Sequence, residues 1–359
     1  MAARRWLAAV WPESPSAQDD DSAASAPVKP RFVTLPPKPQ AGIKPDVALP
    51  TWNGSFTYNG KNYTYNMVGT APSSNASTTV PVYIVPIKIV IKTRRSTYTF
   101  DPSHVLTNGK TVIQNTVAPP IFDSTTTYVQ GGVNVGTTQY IDAFQRANFW
   151  GTVQSNSNYH LLLGGPTVLA EQTLSPPSFY ATVGSPFGFT AGEVNINWFD
   201  SQVNSLITKL GIQANAFPIF LTYDVYLTSG GCCIGGYHSA TGSQSYAHAT
   251  YVDKVGAFSQ NVSALSHEVG EWADDPLVNN SGNNSPCGIL EDGDPLENNP
   301  NYGGYPYSLG GFTYDLQDLV TLPYFGAPPS TSVNGFFTFQ GDAKRLSERI
   351  VADSVSTFS

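Results

Sequence analysis

The sequence predicts an α+β protein, with a β-rich N-terminal half and a C-terminal half built around one motif-bearing helix. Three observations predict it. Charged residues make up only 12% of the 359, against about 25% in average soluble domains, while the chain holds 19 Tyr, 32 Gly and 28 Pro. Short β-branched and aromatic segments, separated by Asn-Gly and Ser/Thr turns, fill the first half. Helical periodicity is confined to a few windows, which do not alternate with strands as a series of βαβ units would.

Taken in chain order, residues 1–45 are rich in Pro, Ala and Ser without periodicity and read as a disordered leader outside the fold. Its start, MAARRWLAAVW, begins as a signal peptide does, but the apolar part is short. FTYNGKNYTY places Asn59-Gly60 between two Tyr/Thr-rich arms and predicts a hairpin. VPVYIVPIKIVIK (80–92) is the strongest strand, and its two prolines predict an edge position or a bulge. TQYIDAFQRANFW (138–150) is helical, with Tyr140, Phe144 and Ala147 on one face and Asp142 and Arg146 spaced to pair at i, i+4. NWFDSQVNSLITKLGI carries an apolar stripe of Phe199, Val203, Leu206, Ile207 and Leu210, with Gly211 as its stop. FPIFLTYDVYL (217–227) alternates as a strand. The expected regions are therefore the leader (1–45), a β-rich region (46–165), a region around the motif (166–345) and a tail (346–359).

Charge excludes one class of partner. The net charge is −8, with 18 basic residues and no cluster denser than Arg94-Arg95, so nucleic-acid binding has no electrostatic footprint. No apolar run reaches the 18 or so residues that a membrane span requires. Three cysteines are too few for a disulfide framework. Cys232, Cys233 and Cys287 cluster, however, and a bridge to Cys287 is the pairing this suggests.

The chemistry concentrates in SALSHEVGEWADDP (263–276). Ser263 or Ser266 can cap a helix there, and Pro276 ends it. With His267 at zero on a helical wheel, Glu271 lies at about 40° and Glu268 at about 100°, whereas Leu265, Val269 and Trp272 fall between about 140° and 200°. Imidazole and carboxylate thus share a face at i and i+4. This is the ligand geometry of HExxH, with Glu268 placed to act as a general base. Glu268, Glu271, Glu291 and Glu297, four of the eight glutamates, lie within 30 residues, a concentration that surface solvation does not require.

A catalytic zinc takes three protein ligands. CGILEDGDPLE (287–297) supplies the third: Glu291 first, then Asp294, as ligand or as the acceptor that orients His267. GGCCIGGYHSATG offers Tyr237 and His238, to steady an oxyanion or complete the coordination. His104, His160 and His248 lack partner patterns and read as structural or surface residues.

SHEVGEWADDPLVNN followed by LEDGDPLE resembles the SHELAE…DP…EIGD region of the phosphate-induced, EXORDIUM-like proteins and their bacterial and fungal relatives. GGCCIGGYHS is similar to the Cys-containing segment that precedes it there, and the resemblance spans residues 217–325, including YDLQDLVTLPYF. It implies secretion, a cell-wall contact, and a site made of His267, Glu268, Glu271, Glu291 and Asp294; a glycan contact is suggested separately, by 6 Trp and 19 Tyr in a β-rich chain. More broadly the pattern resembles zincin metallopeptidases of the gluzincin type, which implies a zincin-like C-terminal half and a peptide or protein substrate. It departs from them at Glu271, where they carry a second His. One His and two carboxylates neutralise Zn²⁺, weaken it as a Lewis acid and tilt preference toward Mn²⁺ or Ca²⁺. The expected function is a secreted metal-dependent hydrolase; the alternative is a non-catalytic extracellular protein with a structural metal site.

Overall fold

The computed structural model describes residues 28–39, 47–280 and 290–341; the proposed tail, most of the leader and Cys287 lie outside them. The fold is α+β. Its centre is a mixed sheet in which strands Val82–Lys92, Phe217–Tyr223, Gln244–Tyr251 and Cys232–Thr241 lie side by side in that order. The first three run parallel, and Cys232–Thr241 returns antiparallel through the tight turn after Thr241. Strands from both halves of the sequence therefore share one sheet.

Two helices cover its opposite faces. Ile196–Leu210 starts on the Asn195 side chain, which accepts from the Trp198 N–H, and stops at Gly211 with φ +65°, a left-handed conformation that glycine adopts without steric cost. Its Phe199, Val203 and Leu206 pack with Ile87, Ile89, Phe220 and Tyr237. Ser263–Asp274 lies on the other face, where Leu265, Val269 and Trp272 join Phe217, Ile219 and Leu221. The Trp272 ring stacks on Phe217 at 3.9 Å and its Nε1 donates to Ser245. Residues that alternate along a strand point to opposite faces, so each strand feeds both cores. Among the described residues no helix is long and apolar enough to cross a membrane.

The Asn59-Gly60 hairpin forms as expected, pairing Thr51–Tyr58 with Lys61–Val68 around two left-handed turn residues. The helix over Tyr140–Asn148 also forms. Several expectations are corrected. Strand 82–92 is interior rather than edge: Phe217–Tyr223 flanks it on one side, and 167–168 and 172–174 pair with it elsewhere along its length. Those two short partners stop at Ile84 and resume at Ile87, so Pro86 falls at a break in the ladder, which is where a residue without an N–H is tolerated. Stretch 217–227 is two strands, because Asp224 (φ +50°) turns the chain aside. Residues 225–228 then take up pairing with 191–195 and with the start of strand 232–241.

Asp142 and Arg146 do not pair with each other. Asp142 accepts from Thr138, His160 and the Leu161 N–H, and Arg146 donates to the Val135 and Tyr159 carbonyls. Both are buried, and there main-chain groups that would otherwise go unpaired are the stronger claimants. Within the expected leader, Arg31–Thr34 forms a strand parallel to 234–238. Composition pointed the other way, but an open strand edge offered the backbone hydrogen bonds that no local signal announced. Cys232 is bridged to its neighbour Cys233, not to Cys287.

Candidate metal centre

The motif helix carries His267, Glu268 and Glu271 into the interior, and all 12 of its residues are buried. The amphipathic reading anticipated one apolar and one polar face. Tertiary packing closes over both: hairpin 304–309/312–317, the hairpin at 51–68 and helix 140–148 all contact it. The expected serine caps are absent; Ser266 Oγ instead donates to the Ser263 carbonyl and accepts from the Gln317 N–H. The end before Pro276 is as predicted.

Strand 232–241 delivers His238 to the same place, and the 290–297 segment delivers Glu291 and Asp294. His238 Nδ1 lies 3.4 Å from Glu268, 3.5 Å from Glu271 Oε2 and 3.9 Å from Glu291. His267 Nε2 lies 2.8 Å from Glu271 Oε1 and 3.6 Å from Asp294 Oδ1. Ligand-type atoms converge in two sets, each within 4.8 Å: His238, Glu271 and Glu291, and His267, Glu271 and Asp294. These buried His and carboxylate groups could hold a metal ion.

Hydrogen bonding supports that fit. Both ring nitrogens of His238, Nε2 of His267, both oxygens of Glu268 and Glu291, Oε2 of Glu271 and Oδ1 of Asp294 are buried without a hydrogen-bond partner among the described residues. Buried polar atoms are ordinarily paired, and orphaned charges cost far more than orphaned neutral groups. Orphans occur singly elsewhere, at Tyr128 and Ser259 for example, but these lie together, and all are atoms that can bind a cation.

One ligand is held by an outer partner of its own. Gln317 Nε2 donates to the Gly293 carbonyl at 2.9 Å, which turns its Oε1 toward His267 Nδ1 at 2.8 Å. An amide oxygen only accepts, so His267 keeps a proton on Nδ1 and leaves Nε2 as the nitrogen open to a cation or a second proton. Nε2 faces a carboxylate oxygen, an arrangement that needs one of the two between them. Phe32 stacks on the imidazole at 3.9 Å, and a side chain at Gly293 would collide with the ring, which accounts for the glycine in EDGD. Gln317→Leu removes the outer acceptor at little change in volume. We expect it to weaken metal affinity by about 10–100-fold, as measured by competition with a chromophoric chelator; unchanged affinity would refute the orienting role.

The electrostatics agree. Burial pushes the Glu268 carboxyl up to about 8, with His238 and His267 opposing and Glu271 reinforcing the rise. Burial also raises Glu291 well above the carboxylate range, reinforced by the charge of Glu271. Glu271 goes the other way: burial would raise it, but His267 and His238 outweigh that and hold it ionised. Burial would depress both imidazoles, yet the surrounding carboxylates raise them well above the usual histidine value. Without a cation the pocket thus balances its charge by holding protons on its imidazoles and raised carboxyls, positions that a metal ion would take over.

Comparison with family models, with curated proteins and with solved structures returned no match. The centre is therefore read from its own geometry. All of the residues singled out by sequence are brought together except Tyr237. It neighbours His238 on a strand and so points to the opposite face, where its hydroxyl donates to Asp200 at 3.1 Å; it cannot steady an oxyanion at this centre. The expected trio His267, Glu271 and Glu291 is divided: Asp294 completes the His267 set, and Glu291 joins His238, which is a ligand candidate more than an oxyanion donor. His248 lies on the Tyr237 side, bonded to Thr222, a structural residue as expected.

Sequence reasoning missed Gln317, Phe32 and Asp292. Asp292 is fully buried beside Gly270, with both oxygens unpartnered; its signal was its place between Glu291 and Asp294. Gln317 sits in YDLQDLV as one polar residue among alternating apolar ones, a weak signal but a usable one. Phe32 had none.

Proposed function

We propose that the protein is a secreted metal-dependent hydrolase that cleaves peptide or protein substrates. One observation carries the reading: buried, unpartnered nitrogen and oxygen atoms converge on Glu271, with a free carboxyl, Glu268, beside them. A bound Zn²⁺, or Mn²⁺ in a centre this rich in carboxylates, would polarise a scissile carbonyl and make water a competent nucleophile near neutral pH.

The chain's own residues divide the remaining work. His267, aimed by Gln317, and His238 offer neutral nitrogens; Glu271, Glu291 and Asp294 offer oxygens. Glu268, with its pKa near the operating range, is suited to accept a proton from water and return it to the leaving amine. Asp294 has a side chain 43% exposed, which makes its side of the centre the one nearest solvent. The extracellular setting, a zincin-like C-terminal half and any cell-wall contact rest on the resemblance of 217–325 alone.

A closed, structural ion site is the second reading. It is favoured by the absence of any exposed surface on His238, His267, Glu268 and Glu271, since a structural site leaves no position open for water. Purified full-length protein should contain stoichiometric metal by mass spectrometry and cleave a mixed peptide library. Cleavage should stop on chelation and return with added Zn²⁺ or Mn²⁺. Metal without cleavage selects the structural reading, and a protein that binds no metal refutes both.

A further inference from the structure

We propose that the centre is binuclear, with two divalent cations bridged by the carboxylate of Glu271. The inference rests on the metal-binding part of the reading above and extends it. The two oxygens of Glu271 face different imidazoles: Oε1 lies 2.8 Å from His267 and Oε2 lies 3.5 Å from His238, with Asp294 in the first set and Glu291 in the second. The two imidazoles fall in separate sets, each with one further carboxylate of its own. A single cation in the first set leaves His238 and both oxygens of Glu291 buried and unpartnered. A single cation in the second leaves Asp294 Oδ1 buried and unpartnered, with only a proton to sit between His267 Nε2 and Glu271 Oε1. Two cations give the carboxylates and one imidazole nitrogen of each set a partner, and only the second ring nitrogen of His238 stays without one.

Charge points the same way. Glu271, Glu291 and Asp294 supply three negative charges when ionised, one more than a single divalent cation balances. A carboxylate that bridges through its two oxygens holds metals about 3.5–4 Å apart, the spacing of two-metal hydrolytic centres.

The positions are unequal. His238 and Glu291 belong to the enclosed set, with side chains 0% and 7% exposed, whereas Asp294 opens the other to solvent. The inner cation is the structural one and the outer cation the exchangeable one, so the burial that favours a closed site and the opening that catalysis requires belong to different ions.

The test uses the full chain, stripped by chelator and reconstituted with Zn²⁺ or with Mn²⁺. We expect two equivalents by mass spectrometry, removed by chelator in a fast and a slow phase, and a Mn²⁺ paramagnetic resonance spectrum broadened by coupling between the ions. Asp294→Asn should keep one equivalent, lose the fast phase and give the six-line spectrum of isolated Mn²⁺. Should that variant fail to fold, the stoichiometry and coupling of the unaltered chain decide the matter. Saturation at one equivalent, or two equivalents without coupling, overturns the binuclear centre and leaves the hydrolase reading standing; no bound metal overturns both.

Discussion

Glu271→Gln leaves the protein unable to retain metal at either set, because both depend on this one carboxylate. Activity falls by more than the 10–100-fold or so that loss of an orienting partner costs. The effect on stability depends on the medium. At a thousandfold excess of free metal over its Kd, a folded-state ligand adds about 4 kcal/mol; the unaltered protein gains this and the variant does not. In chelator that contribution is absent from both proteins, and the variant loses only the pairing of Glu271 with the two imidazoles that hold it ionised. Thermal melts of both proteins, with Zn²⁺ and with chelator, read the change in the gap directly. The same gap in the two media would mean that Glu271 is an ordinary ion-pair partner of His267 and that no cation binds there.

Glu268→Gln separates binding from chemistry. The amide has the size of the acid, which matters because the Glu268 side chain lies against Gly236, where even a Cβ would be too close. Metal content should be unchanged, since Glu268 belongs to neither ligand set. Turnover should fall by about 10²–10⁴-fold, the range that a positioned general base contributes, with KM little altered. Undiminished cleavage removes Glu268 from the mechanism. Loss of metal together with activity would make it a ligand instead.

Much of the motif region was legible because its signals are local. An i, i+4 spacing sets which side chains share a helix face wherever the helix is placed. His267 and Glu271 could therefore be paired from their positions alone, and the nearby EDGD turn was a natural source of further oxygen. The hairpin at Asn59-Gly60 and the stop at Gly211 were legible for a similar reason: left-handed backbone positions have few residue choices. The errors fell where local preference met distant competition. Asp142 and Arg146 were spaced to pair, but main-chain carbonyls took Arg146, while Thr138, His160 and the Leu161 N–H took Asp142. Strand 82–92 looked like an edge because of Pro86, and became an interior strand because its partners on one side leave a gap there.

The sequence by itself determined an α+β protein, the helix at 263–274, the face on which His267 and Glu271 lie, and a local concentration of carboxylates. Tertiary structure alone decided how those groups are shared out. Ligand sets depend on which atoms converge within a few ångström, and that convergence is built by elements far apart in the chain. Strand alternation sends His238 inward and Tyr237 away. A segment taken for a leader brings Phe32 onto His267, and the 312–317 strand brings Gln317 to fix its tautomer. The substitution of Glu for a second His at position 271, which reads in sequence as a departure from a zinc motif, supplies in three dimensions two oxygens aimed at two different histidines. An imidazole nitrogen holds one cation, whereas a carboxylate can bridge a pair, and only the placement of His238 and His267 on either side of Glu271 makes that difference count.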